Sequence, residues 1–173
     1  VTPEEALAMG ADICLASLTI TGNDEARDAA NVELFARLAS AKRKCGIPLI
    51  GEFYPPTPER LSDEQLHQAV YTACRIITEL GADAIKTFYT GPRFCEVVES
   101  VGIPVLALGA EKLPNEVDAL QLAQSAVAAG ARGVVFGRNV IQAEDPAAFL
   151  AALKRVVKDD VSPREAAVEA GLA

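Results

Sequence analysis

The sequence is poor in what metal and redox sites are built from. Its four cysteines, Cys14, Cys45, Cys74 and Cys95, form no C-x-x-C pair, and none stands at ligand spacing from the single histidine, His67. Neither a zinc site nor a dithiol redox motif is expected, and the thiols are expected to be reduced. No metal and no cofactor is called for. The chain also lacks an apolar run of the roughly 18 residues that cross a membrane. Its first residues, VTPEEALAMG, show no basic stretch followed by an apolar core. The expectation is a soluble, cytoplasmic protein with no membrane partner. Basic residues are the minority: 16 Lys and Arg against 24 Asp and Glu leave a formal charge of −8. Nucleic acid and anionic membranes are therefore poor partners for the surface as a whole, although a small anion can still bind in a local basic pocket.

What is present is a repeated pattern. With 173 residues, 50% of them hydrophobic and 23% charged, the chain has the make-up of one globular domain with a sizeable core. Five times a helical pattern closes on a glycine and a short run of Val, Ile, Leu and Ala follows: MGADICLASL, CGIPLIGEFY, LGADAIKTFY, VGIPVLALGA and AGARGVVFGR. Gly10, Gly46, Gly81, Gly102 and Gly130 suit the left-handed position after a helix. The stretches between carry helix-start signals: Ser62 with Gln65 as a capping box, Asn115 before Glu116, Asp145 before Pro146, and Ser162 before Pro163 with Glu165. Strand and helix in alternation predict parallel βαβ units and an α/β class. The strands are nearly free of polar residues, as befits strands buried on both faces. Five units are enough for an open doubly wound sheet and three short of a (β/α)8 TIM barrel.

Ligands of parallel α/β folds meet the carboxyl ends of the strands. The fourth predicted strand ends ALGAEKLP, with Gly109, Ala110 and Lys112, and the fifth ends FGRNVIQ, with Gly137 and Arg138. Glycines let backbone N–H groups approach an anion and the cations supply charge, so these adjacent loops read as a phosphate grip. The plain alternative is that each glycine serves a turn and each cation is solvated. Barrels build such a grip after strands seven and eight, which would make the first strand present the fourth.

The third predicted strand, GADAIKTFYTG, carries Lys86 in its middle. An ammonium taken out of water is costly, so the residue is either an edge lysine kept for solubility or one kept for chemistry. Period two places Ala84, Lys86 and Phe88 on one side and Ile85, Thr87 and Tyr89 on the other. Inside a barrel, burial and nearby cations would favour the free amine, which attacks carbonyls. Tyr54, closing LIGEFYPP on the neighbouring strand, is placed to pass a proton to a substrate held there, or else is a rim residue. Glu52, on the same side as Tyr54, is a further candidate acid, base or lysine partner. His67, Tyr71 and the trio Lys42, Arg43 and Lys44 read as surface or packing residues, the trio suiting a helix C-terminus.

GADAIKTFYTG, then LALGAEKLP, then GARGVVFGRNVIQAEDP, in this order and spacing, resemble the archaeal-type class I fructose-bisphosphate aldolases. Their relatives, the aminodideoxyheptulosonate synthases and autoinducer-processing thiolases, share that likeness. The resemblance implies a barrel with a Schiff-base lysine on strand six, Lys86, and a proton-carrying tyrosine, Tyr54. It further implies a sugar-phosphate site at Gly109, Ala110, Lys112, Gly137 and Arg138, and a homo-oligomer, pentameric or decameric. It covers nearly the whole chain, and the tyrosine favours the aldolase branch over the thiolases. Two departures stand out. No Asp-bearing segment like the family's FDHG is present, and Glu52 stands where some aldolases have an aromatic residue. Residues 1–173 are accordingly expected to be a single α/β-barrel domain covering strands four to eight, an N-terminally truncated fragment that is inactive or weakly active alone. Its expected activity is carbon–carbon bond cleavage or formation in a ketose phosphate. The competing readings are a barrel isomerase or synthase working without an imine, and a non-catalytic open-sheet receiver-like module. Against the latter, the first strand ends ASLTITG without an acidic cluster, and Lys86 is followed by Thr87 rather than proline.

Overall fold

In the computed structural model, which describes residues 1–172, the glycine-punctuated runs all become strands. These are β1 (Cys14–Leu18), β2 (Leu49–Phe53), β3 (Ala84–Phe88), β4 (Val105–Leu108) and β5 (Gly133–Val135). The intervening helices are α1 (Pro3–Ala8), α2 (Glu25–Cys45), α3 (Asp63–Leu80), α4 (Phe94–Ser100) and α5 (Glu116–Ala128), with α6 (Arg138–Ile141), α7 (Pro146–Asp159) and α8 (Pro163–Glu169) closing the chain. Single 3-10 turns lie at Pro58–Arg60 and Gly91–Arg93.

Most helix ends follow the sequence signals. Ser62 and Gln65 form the reciprocal box at α3, Asp145 accepts from the Ala147 and Ala148 amides at α7, and the Ser162 hydroxyl accepts from the Glu165 amide at α8. Two expectations need correction. Asn115 precedes α5, but its side chain donates to Asp118 instead of capping the helix. Gly102 is not a left-handed terminator, because α4 ends one residue earlier on Val101 in extended backbone.

All four strand pairs are parallel and the sheet order is β1-β2-β3-β4-β5, the order of the chain. A doubly wound sheet reverses its strand order at a switch point. No reversal occurs here, so with crossovers of one hand the helices fall on one face. That face carries Leu18, Leu49, Phe53, Ile85, Val105 and Ala107, packed against Phe35, Val70, Ile77 and Val97 of the helices. Gly51 shows how close the layers come: a β-carbon there would lie 2.3 Å from the Ile77 side chain and 3.0 Å from the Phe35 ring. A second cluster joins α5, α7 and α8 around Leu120, Phe149, Leu153 and Val156.

The basic trio is not simply a solvated helix end. Lys42 is buried and its ammonium is ion-paired with Asp83, whose carboxylate also accepts the Leu49 amide at 2.7 Å. One carboxylate thereby ties the end of α2 to the starts of β2 and β3. Burial pushes the Asp83 carboxyl upward, but the Lys42 and Leu49 hydrogen bonds outweigh it and hold the group below its ordinary value.

Candidate active site

The face of the sheet opposite the helices is largely left open by the described elements and carries Ser17, Glu52 and Lys86, whereas the polar Thr87 of β3 is buried on the helical face. Leu15 on β1 is 49% exposed there, and Val135 on β5 is 37% exposed. The register aligns Ser17 with Glu52 and Glu52 with Lys86, so that the three side chains form one row across β1, β2 and β3. Within it the Ser17 hydroxyl donates to Glu52 Oε2 at 2.7 Å, and Lys86 Nζ lies 2.6 Å from Glu52 Oε1. Lys86 and Glu52 retain 21% and 16% of their side-chain exposure, enough to be approached and too little to be freely hydrated.

The amine therefore faces Glu52, the carboxylate that the sequence offered as a possible lysine partner. Burial raises the Glu52 carboxyl, yet hydrogen bonds from Lys86 and Ser17 more than offset this and keep it below the usual carboxylate value. The row is a paired, charge-assisted arrangement.

Tyr54 lies two residues beyond Glu52 and Phe88 two residues beyond Lys86, on the same face. Their rings meet edge to face with centroids 4.7 Å apart, which brings the phenol one pleat nearer the carboxyl ends than the amine. Pro55 and Pro56 follow directly and restrict the backbone after it.

The two glycine-bearing loops are laced together by a residue that the sequence reading passed over. Asn139, at the start of α6, is 3% exposed. Its amide donates to the carbonyls of Gly109 at 2.9 Å and Glu111 at 3.2 Å, and its oxygen accepts the Leu113 amide at 2.8 Å. A β-carbon on Gly109 would meet the Phe136 ring at 2.6 Å and the Asn139 amide at 2.9 Å, so only glycine fits. Ala110 next to it is held at φ 46°, a left-handed conformation that alanine adopts at a cost. The exposed Lys112 ammonium donates to the Gln142 carbonyl, and Arg138 lies 3.8 Å from Glu111. Gly137 precedes α6 as its N-cap. The five residues singled out from the sequence thus belong to one pair of interlocked loops. The polar asparagine following Arg138 in FGRNVIQ was the available sign of Asn139.

His67 is buried, its Nδ1 2.9 Å from Thr90 Oγ1 and its Nε2 3.3 Å from Glu96. With Tyr71 half-buried beside it, both pack between α3 and the segment after β3. The four cysteines are free, and burial pushes the Cys74 thiol up to about 12. Among the described residues no three His, Cys, Asp or Glu side chains gather as a metal site. None of the described helices is long and apolar enough to cross a membrane.

The model of the DeoC/LacD family aldolases matches residues 1–143, and the chain belongs to that family. It is similar to 2-amino-3,7-dideoxy-D-threo-hept-6-ulosonate synthase of Halobacterium salinarum, with 34% identity over 99% of this chain and 63% of the relative. Among solved structures it resembles an archaeal fructose 1,6-bisphosphate aldolase, with TM-score 0.79 and 34% identity over 91% of this chain and 62% of that one. A second, at TM-score 0.78 and 33% identity over 90% and 62% of the two chains, is an archaeal fructose-1,6-bisphosphate aldolase whose catalytic lysine is bound to the substrate's carbinolamine intermediate. The chain spans a little over three-fifths of the length of these relatives.

Proposed function

We propose that this DeoC/LacD family chain carries the Schiff-base half of a class I aldolase acting on a ketose phosphate, with Lys86 as nucleophile and Tyr54 as proton carrier. The observation that carries the reading is the position of Lys86. It is an amine on the third residue of a central strand, partly buried, on the face away from the helices, in a chain one third identical to a solved lysine-dependent aldolase.

The chemistry follows from the geometry. The free amine of Lys86 adds to the ketose carbonyl, water leaves, and the resulting iminium draws the electron pair of the adjacent carbon–carbon bond as that bond breaks. Tyr54, one pleat nearer the strand ends, takes the proton of the hydroxyl that becomes the aldehyde. The enamine is then protonated at carbon and hydrolysed, restoring the amine. In the synthetic direction the same steps run backwards. Gly109, Ala110, Lys112, Gly137 and Arg138 hold the phosphate through backbone N–H groups and cations. The five strands are strands four to eight of a (β/α)8 barrel whose remaining strands would cover the open face and the outer edges of β1 and β5. Assembly into a cytoplasmic homo-oligomer belongs to the same proposal.

A second substrate has a specific observation in its favour. Glu52 places a carboxylate on the substrate face, and the heptulosonate synthase is as similar to this chain as the bisphosphate aldolases are. The ketose phosphate is then one used in biosynthesis and not fructose 1,6-bisphosphate.

Borohydride reduction of the full-length protein in the presence of dihydroxyacetone phosphate tests the reading. A stable mass increment on the peptide containing Lys86 is expected. Absence of any adduct, or normal turnover by Lys86→Met, would leave an imine-free isomerase or synthase as the better account.

A further inference from the structure

A phosphate grip made of backbone N–H groups needs its carbonyls turned elsewhere, and here Asn139 does the turning. An asparagine side chain has two N–H donors and a carbonyl acceptor, and at 3% exposure this one must satisfy them within the protein. Its Nδ2 donates to the Gly109 carbonyl at 2.9 Å and the Glu111 carbonyl at 3.2 Å, while its Oδ1 accepts the Leu113 amide at 2.8 Å. One side chain from the second loop thereby fixes three points of the 109–113 turn. The Lys112 ammonium, donating to the Gln142 carbonyl, adds a fourth tie between the loops.

These bonds decide where the amides of the turn point. Across a trans peptide, and no described peptide is cis, a carbonyl and the N–H that follows it face opposite ways. With the Gly109 and Glu111 carbonyls drawn to Asn139, the N–H groups of Ala110 and Lys112 are directed away from it. Asn139 is buried and Lys112 is exposed, so that direction is outward. The Gly109 amide is taken by the Val135 carbonyl at 3.3 Å and the Leu113 amide by Asn139. Among the described residues the Ala110 and Lys112 amides meet no protein acceptor. The two donated bonds also flank Ala110, whose left-handed φ of 46° is costly for alanine and persists only where its surroundings impose it. Leu108, just before the turn, is in register with Phe88, the ring that Tyr54 touches, so the turn starts beyond Lys86 at the carboxyl ends of the strands.

Resting on the phosphate-site reading, we propose that Asn139 is the positioning residue of that site: by drawing in two carbonyls it turns the Ala110 and Lys112 amides onto the substrate phosphate and so sets the preference for a phosphorylated over an unphosphorylated ketose. Asn139 itself touches no substrate. Amide hydrogen bonds to a charged acceptor are the strong ones, and misaligning two of them lowers that preference about 10²-fold. A tie that merely holds the fold would weaken the reaction of both ketoses alike, since both react at Lys86.

The experiment follows borohydride-trapped adduct on Lys86 of the full-length protein against the concentration of dihydroxyacetone phosphate and of dihydroxyacetone, for wild type, Asn139→Ala and Asn139→Asp. The aspartate keeps an acceptor for Leu113 but cannot donate to both carbonyls. Both variants are expected to lose about 10²-fold in the ratio of the two trapping efficiencies. A wild-type ratio in the folded variants overturns the positioning role and leaves the phosphate site standing. Where neither variant folds, amide spectra of the wild type with inorganic phosphate decide: the Ala110 and Lys112 protons should move downfield while that of Leu113, already held by Asn139, stays in place. Shifts confined to Gly137 and Arg138 overturn the role of Asn139. A wild type that traps both ketones equally well and shows no shift with phosphate overturns the phosphate reading together with this one.

Discussion

The two faces of the sheet are made by the same five strands and could hardly differ more. Alternate residues of β2 and β3 point to opposite sides. On the helical side Leu49, Gly51, Phe53, Ile85 and Thr87 are shut away from water, with Ile85 and Thr87 at 0% exposure. On the other side Glu52 and Lys86 keep about a fifth of theirs. The covered face is a packing problem, in which a missing β-carbon at Gly51 matters. The open face is an electrostatic one, in which an ammonium is retained because a carboxylate stands opposite it. A charge is costly on the first face and useful on the second.

The sharpest way to break this comparison is to change Lys86. Lys86→Met in the full-length protein is expected to lose about four orders of magnitude or more in turnover, since no other amine occupies the row. Its stability should move by only about 2 kcal/mol in a denaturant melt, because Glu52 loses its ion-pair partner but keeps the Ser17 hydrogen bond and a partial approach to water. A melt shifted by several kcal/mol would mean that the row holds the fold together.

Tyr54→Phe should lower carbon–carbon cleavage about 10²-fold or more while leaving borohydride trapping on Lys86 near the wild-type rate. Equal losses in both assays would place the phenol in imine formation.

On the covered face the expectation reverses. Gly51→Val drives a branched side chain into Ile77 and Phe35 and should cost about 3 kcal/mol of stability, read as a lower midpoint in urea at unchanged slope.

The smallest effect concerns the ion pair beneath the sheet. Asp83→Asn leaves the Lys42 ammonium buried without its partner, and about 2 kcal/mol of lost stability is expected near neutral pH, since Asp83 is itself half exposed. Because folding lowers the Asp83 pKa, its contribution is fully present above the unfolded value of about 3.8 and fades as pH falls through the folded value. Wild type and variant should therefore converge in acid unfolding.

Much of this was legible beforehand, and for a local reason. Each strand is announced by a helix that stops on or next to a glycine, and Gly46 and Gly81 do sit in left-handed backbone. Period two alone put Lys86 beside Phe88 and Tyr54 beside Glu52 on their respective strand faces, so the rings of Tyr54 and Phe88 in contact follow from counting plus strand adjacency. The rest depended on register and on layers. Ser17, Glu52 and Lys86 are 35 and 34 residues apart along the chain, and nothing local says that they share a row. Asn139 and Lys42 bear side chains usual on surfaces, and each is buried because a partner from a distant segment satisfies it.

The amino-acid sequence by itself determined the alternation of helix and strand, the number of strands and the side of each strand on which a residue falls. These depend on backbone preferences and hydrophobic period, which act over a few neighbours. Tertiary structure alone decided among the roles open to Glu52 and paired it with the amine, locked two loops by one buried asparagine, and left one face of the sheet dry and the other open. Those outcomes are set by pairing register and the stacking of layers, where groups far apart in the chain are brought within hydrogen-bonding distance and the cost of an unpaired charge selects the partner.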